Sequence, residues 1–189
     1  MVKRFLLGTA AAVIAIAVMA TAGMVAQTVD EGNPRLQATI RAAERGNAKA
    51  QFNLGDMYRI GEGVPQDQSE ALRWWRMAAE QGHAGAQSTL GVMYEAGDGI
   101  PQDYLEAVRW WRMAAEQGEF RAQYNLNVMY AAGQGVPQDY VNAHVWFNLA
   151  AAQGHEIART NRDKASSFMT PDQLAEAQRL AREWMAERR

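Results

Sequence analysis

HAGAQSTLGVMYEAGDGIPQDYLEAVRWWRMAAEQG, residues 83–118, decides the fold because the chain writes it nearly three times. Residues 47–82 precede it and residues 119–154 follow it without a gap, and the first copy matches the second at 24 of 36 positions. The third copy keeps the skeleton: Ala122, Gln123, Leu126, Tyr130, Gly133, Gly135, Pro137, Asp139, Ala143, Trp146, Ala150, Ala151 and Gly154. A period of roughly 20–50 residues marks a solenoid or array, built from units that cannot bury their apolar face alone.

The first half of the unit, Ala84–Ala96, has no proline and sets Gln87, Leu90, Gly91 and Tyr94 at i, i+3, i+4 and i+7, one face of an α-helix. Gly97 ends it, as a residue that enters the left-handed region without a Cβ penalty. After a short linker, Asp103 is placed as an N-cap, and Glu106 completes a capping-box pattern; Asp67 and Glu70 repeat it. The second helix presents Ala107, Trp110, Trp111 and Ala114 at the same helical spacing, and Gly118 closes it. Each unit is therefore a helix–loop–helix hairpin. Small Gly91 and Ala107 let its two backbones approach, while the tryptophans fill the space between hairpins. A buried indole covers about 150–250 Å², worth several kcal/mol at ~25 cal/mol per Å² before entropy is subtracted. Much of that surface must be covered by the neighbouring copy, so the stack is the folding unit.

The pattern A-x-A-Q-x-x-L-G-x-M-Y-x-x-G-x-G-V-P-Q-D-x-x-x-A-x-x-W-W-x-x-A-A-x-x-G, carried by residues 48–82, resembles a Sel1-like repeat, a relative of the tetratricopeptide repeat. The resemblance covers residues 47–154. It implies an all-α, α/α superhelical solenoid that acts as an adaptor for other proteins. Exported members of the family are tied to envelope signalling. Others, rich in cysteine, are linked to peptidoglycan or β-lactams; this chain has no cysteine, which weighs against that alternative. End-to-end assembly is a third option, and the charged ending Arg188-Arg189 argues against it.

At the ends the copies give way to other signals. Residues 1–26 read as a targeting segment: Lys3 and Arg4, an apolar run over 5–19, and Ala20-Thr21-Ala22 before Gly23 as a cleavage site. A periplasmic or secreted chain follows if the segment is cleaved. If it is not, the uncharged run over 5–29 is long enough to anchor the chain in the inner membrane, facing the periplasm. Residues 27–33 are a linker. Residues 34–46 are an N-terminal capping helix, with Asn33 as cap and Pro34 at the first helical position. It carries Ala38 and Thr39 where later copies have tryptophans. In the third copy Trp146-Phe147 replaces the Trp pair, Asn127 the glycine and Asn142 the capping-box Glu. Asn127 predicts a slightly splayed hairpin. Residues 155–189 are C-terminal capping helices: residues 155–167 begin like a fourth first helix but place Arg162 where Leu126 would be. Thr170-Pro171-Asp172-Gln173 starts a last helix striped by Leu174, Ala177, Ala181 and Trp184.

No catalytic residue emerges. Ser69, Ser88, Ser166 and Ser167 lie in no nucleophile motif. Asp67, Asp103 and Asp139 are committed as caps. The Gly-x-Gly loops follow helices, so phosphate binding is not indicated. His83, His144 and His155 have no ligand spacing and read as surface or satisfied histidines; metals and small-molecule cofactors are not expected. Met57, Met93 and Met129 share one repeat position and read as structural. A net charge of −2 with scattered cations argues against nucleic acid. What remains is the stripe of each first helix that turns away from its partner: Lys49, Phe52, Asp56, Arg59 and Ile60; then Gly85, Ser88, Val92, Glu95 and Ala96; then Arg121, Tyr124, Val128, Ala131 and Ala132. These positions vary while the packing positions do not, as in a ligand groove and equally as in an unconstrained surface. Phe52 and Tyr124, aromatic among charges, favour a groove for a protein or peptide.

Overall fold

The structure, a computed structural model, describes residues 33–187. The targeting segment expected at residues 1–26 lies outside the described residues. These contain nine helices and no strand: α1 (Pro34–Glu44), α2 (Ala48–Ile60), α3 (Gln68–Glu80), α4 (Ala84–Ala96), α5 (Tyr104–Glu116), α6 (Phe120–Ala132), α7 (Tyr140–Ala152), α8 (Glu156–Ser166) and α9 (Pro171–Ala186). Helices α2–α3, α4–α5 and α6–α7 pack as hairpins, and each second helix also packs on the next first helix. First helices α4 and α6 touch, while α3, α5 and α7 share no comparable contact, so the stack curves with its first helices inside.

Chemistry that recurs in each copy makes the hairpin. Asp67 Oδ1 accepts from the N–H groups of Ser69 and Glu70, and Asp103 Oδ1 does the same for Leu105 and Glu106. The reciprocal half of the expected capping box is not formed there. The backbone N–H of each Asp donates instead to the carbonyl of Tyr58 or Tyr94, and Glu70 and Glu106 pair with Arg73 and Arg109. The complete box occurs at Thr170 and Gln173. Gln66, Gln102 and Gln138 in the linkers donate at 2.9, 2.7 and 2.8 Å to the carbonyls of Arg59, Glu95 and Ala131, closing the C-terminal ends of the first helices.

A second recurring bond set ties hairpin to hairpin. Buried Gln51, Gln87 and Gln123 donate at 3.1, 3.1 and 3.2 Å to the carbonyls of Ala43, Ala79 and Ala115 on the preceding helix. Each also accepts from the glutamine that ends its own second helix, Gln81, Gln117 or Gln153, at 2.5, 2.7 and 3.0 Å. One amide thus joins three helices, and its low-dielectric surroundings strengthen both bonds. The tryptophans do the same with apolar surface: Trp75 and Trp110 share one cluster with Ala86, Leu90 and Met93, and Trp111 packs with Ala122, Leu126 and Met129 of the next copy.

Glycines 55 and 91 are required by these indoles. A Cβ on Gly55 would stand 2.6 Å from Cδ1 and Nε1 of Trp75, and one on Gly91 would overlap Nε1 of Trp111. Trp111 Nε1–H donates to the Ser88 carbonyl at 3.2 Å. In the third copy both partners change together: Asn127 occupies the glycine position and Phe147 the indole position, and both are buried. The smaller ring vacates the space that Asn127 fills, and α6 and α7 pack as the other hairpins do. The pair therefore remains a closed hairpin. Asn127 nonetheless has no hydrogen-bond partner for either amide atom among the described residues.

The two ends are finished differently. Leu36 of α1 is buried and closes over Gly63. Helix α8 occupies the place of a fourth first helix, burying Ala158 and Ala165 with Ala143, Phe147 and Ala150 of α7. Arg162 remains at its margin, paired with Asp163. Helix α9 does not complete a hairpin with α8. It crosses to the outer face of α7, where Ala177 and Ala181 bury Val145 and Leu149 and Trp184 meets Trp146 edge-on at 6.1 Å. The reason is compositional. Val145 stands where the earlier copies have Arg73 and Arg109, so the outer face of α7 has an apolar stripe that no arginine interrupts.

Candidate functional site

The inner face is built from α2, α4, α6 and α8, held in register by the glutamine and indole contacts. Lys49, Arg59 and Arg121 are exposed on it, Ile60 is 53 % and Val92 45 % exposed, and Glu95 and Val128 are half-buried. Phe52, expected as an exposed aromatic, is half-buried and stacks on His83 at 4.7 Å. Tyr124 is likewise half-buried: it meets Phe147 edge-on at 6.2 Å, and its hydroxyl accepts from Asn161 Nδ2 at 3.3 Å. Both side chains bridge one first helix to the next, Phe52 to the N-cap of α4 and Tyr124 to Asn161 of α8. Ser88 is 7 % exposed and leaves the site. It shares its repeat position with Phe52 and Tyr124, and so small a side chain cannot rise above the α4–α6 contact.

Asp56 is half-buried, and its loss of water raises its pKa; Arg59, the Trp75 indole and His83 pull the other way. His83 is the N-cap of α4: its Nδ1 accepts from Ala86 N–H at 3.2 Å, so that nitrogen carries no proton. Asn47 and Glu119 perform this role in the neighbouring copies. Desolvation lowers the His83 pKa, opposed by a backbone hydrogen bond. His144, read from the sequence as surface or satisfied, is neither. It is buried where Leu72 and Val108 stand in the other copies, and its Nδ1 has no partner. Burial lowers its pKa, and Arg162 adds to the effect.

These shifts have a defined sign. A histidine whose pKa is lower in the folded chain lets the unfolded chain take up its proton first, so stability present above the ordinary histidine pKa is lost as pH falls through it. The thermal midpoint is expected to drop between pH 7 and pH 5. Asp56 acts in the opposite sense, because its folded-state pKa is raised, and does so in the carboxylate range. His83→Asn, which keeps a cap that does not titrate, combined with His144→Val, should flatten the decline in a melting series across that interval. An equal decline in the double variant would assign the pH dependence elsewhere.

Cavities open between helices on both sides of the stack. One, of about 370 Å³, lies at the C-terminal end of the inner face between α6, α7 and α8; it includes Val128, Ala131 and Ala132 of the sequence-derived stripe, with Phe147, Asn161 and Lys164. Another, about 550 Å³, lies on the outer side between α5, α7 and α9. Among the described residues no three His, Asp or Glu side chains converge as metal ligands, and no helix is long and apolar enough to cross a membrane.

No curated protein matches the chain. Among solved structures, a Sel1 repeat protein from Oxalobacter formigenes is 41 % identical with a TM-score of 0.68, over 70 % of this chain and 99 % of that one. The protective antigen c5321 of uropathogenic Escherichia coli, which displays the same repeat fold, is 44 % identical with a TM-score of 0.64. That match spans 67 % of this chain but only 27 % of the antigen. Cysteine-rich protein B of Helicobacter pylori, at 21 % identity and a TM-score of 0.53, shares the fold. The family model for the Sel1 repeat matches residues 48–83, 84–119 and 120–155. With three such repeats over more than half its length, the chain belongs to the Sel1 repeat family.

Proposed function

We propose that this chain is an exported, non-enzymatic adaptor that holds a protein or peptide segment along its inner face and serves regulation in the bacterial envelope. The Sel1 repeat scaffold is one used for protein–protein interaction, which supports the general part of this reading. The observation that carries the particular part is the contrast between the two sides of each first helix. Gln, Leu and the packing alanines recur from copy to copy. The inner stripe instead changes from Lys49, Asp56, Arg59 and Ile60 to Val92 and Glu95 and then to Arg121 and Val128. It leaves Ile60 and Val92 open among charges of both signs. Packed hairpins fix the groove beforehand, so a ligand meets little ordering cost from the scaffold. Export rests on the features of residues 1–26 and predicts a mature chain that begins at Gly23, which N-terminal sequencing of periplasmic protein checks.

The test is site-specific photocrosslinking in cells. A benzophenone side chain placed at Ile60 or Val92 should capture a discrete protein, whereas the same group at Arg76 on the outer side should not. Adducts formed only from the outer position would move the site off the groove.

A further inference from the structure

We infer that the cavity at the C-terminal end of the inner face receives the carboxyl terminus of a partner polypeptide whose last residue is apolar. This rests on the groove reading above and deepens it by naming the part of the partner that is held.

The cavity lining combines two chemistries. Val128, Ala131 and Phe147 form an apolar floor, and Phe168, 58 % exposed, stands at the rim, stacked on Tyr140 at 5.2 Å. A large apolar ring left open beside a cavity is surface that an occupant would cover. The same lining carries hydrogen-bond donors. Lys164 lines the cavity, and its ammonium joins none of the ion pairs among the described residues. The nearby carboxylates are already engaged, Asp163 by Arg162 and Glu156 by Arg159. Asn161 lies one helical turn before Lys164 and lines the same cavity; one N–H of its amide goes to the Tyr124 hydroxyl and the second remains to give. Ammonium and amide together form an anion-seeking edge on an apolar seat.

That combination selects the occupant. An interior residue of a peptide offers an apolar side chain or a carboxylate, but not both; the last residue of a chain carries both on one Cα. The volume, about 370 Å³, falls at the small end of ligand pockets, roughly 300–1,000 Å³, and accommodates one large side chain with its carboxylate. The C-terminal end of α8 carries partial negative charge that opposes an anion. Its last carbonyls are already bonded, those of Lys164 and Ala165 by the N–H groups of Ser167 and Phe168. A full ammonium with an amide beside it, both able to make charge-assisted bonds, outweighs what remains.

The experiment is a titration of the isotopically labelled chain, followed by backbone NMR, with N-acetyl-Ser-Gly-Ser-Gly-Phe bearing a free carboxylate and with the same peptide as its C-terminal amide. The free acid should shift resonances of residues 128–132, 161 and 164–168 and bind at least tenfold more tightly than the amide. Lys164→Gln should abolish that difference, Lys164→Arg should preserve it, and Ala132→Trp, which fills the seat from an exposed position, should block both peptides. Acid and amide binding alike, or shifts confined to other helices, would overturn the inference. So would 3-phenylpropionate binding as tightly as the peptide, since the seat would then belong to a small free acid. None of these outcomes touches the crosslinks from Ile60 and Val92, so the cavity and the groove fail separately.

Discussion

Gly91→Ala is expected to destabilise the chain by about 1–3 kcal/mol, although exchanging glycine for alanine inside a helix ordinarily gains about 1 kcal/mol. The added methyl would overlap the Trp111 indole. That ring is buried between two hairpins and cannot move without giving up its bond to the Ser88 carbonyl, itself worth about 1 kcal/mol. Overpacking and the lost bond therefore outweigh propensity. In a Trp111→Phe background the sign should change, because the smaller ring leaves the methyl room. The third copy already carries this exchange as Asn127 with Phe147. Urea unfolding of the two single variants and the double variant closes the cycle, with an expected favourable coupling of about 1–3 kcal/mol. Additive effects would show that the glycine serves something other than the indole.

The second large effect lies at the other end. Val145→Arg restores the residue type of the earlier copies, Arg73 and Arg109, at a position 6 % exposed beneath α9. A guanidinium cannot stay there without a partner, so α9 should leave α7 rather than bury the charge. The cost is then limited to what docking supplies. Val145 and Leu149 are the main covered side chains on α7, at about 1.5–3 kcal/mol each, so the loss is about 3–6 kcal/mol at most. Hydrogen exchange across 171–186 should rise to rates of an unprotected chain while α2 to α5 keep their protection. Unchanged protection in α9 would contradict the docking described here.

Why was so much of the fold legible beforehand, and the site so much less? Helix bounds came from signals that act locally and recur: Asp caps, left-handed glycines after the first helices, and an apolar spacing written three times. The place of α9 depended on a single exchange, arginine to Val145, that completes an apolar stripe of Val141, Val145 and Leu149 at i, i+4 and i+8 on a face that Arg73 and Arg109 interrupt in the earlier copies. That stripe was present in the sequence but masked by the stronger repeat pattern. Asn127 and Phe147 could have been read as a pair, since the two substitutions occur in the same copy and compensate in volume. Burial of Ser88 and the stacking of Phe52 on His83 depend on how closely successive first helices approach, which no spacing within one helix reports. The cavity beside Lys164 joins three helices, one of them with degraded repeat register, so no single copy contains it.

Binding along the inner face requires the copies to fold as one body, because a groove shared by successive helices exists only while they stay stacked. Removing residues 83–118 and joining Gly82 to Glu119 keeps the repeat register, bringing Gln123 to the place that Gln87 held over the Ala79 carbonyl. Urea unfolding of this shortened chain beside the intact one tests the point directly. A lower midpoint, a smaller slope with denaturant and a single transition in both chains are predicted, since each copy adds its interfaces to the whole. An unchanged midpoint after the excision, or separate transitions in the intact chain, would mean that the hairpins stand alone.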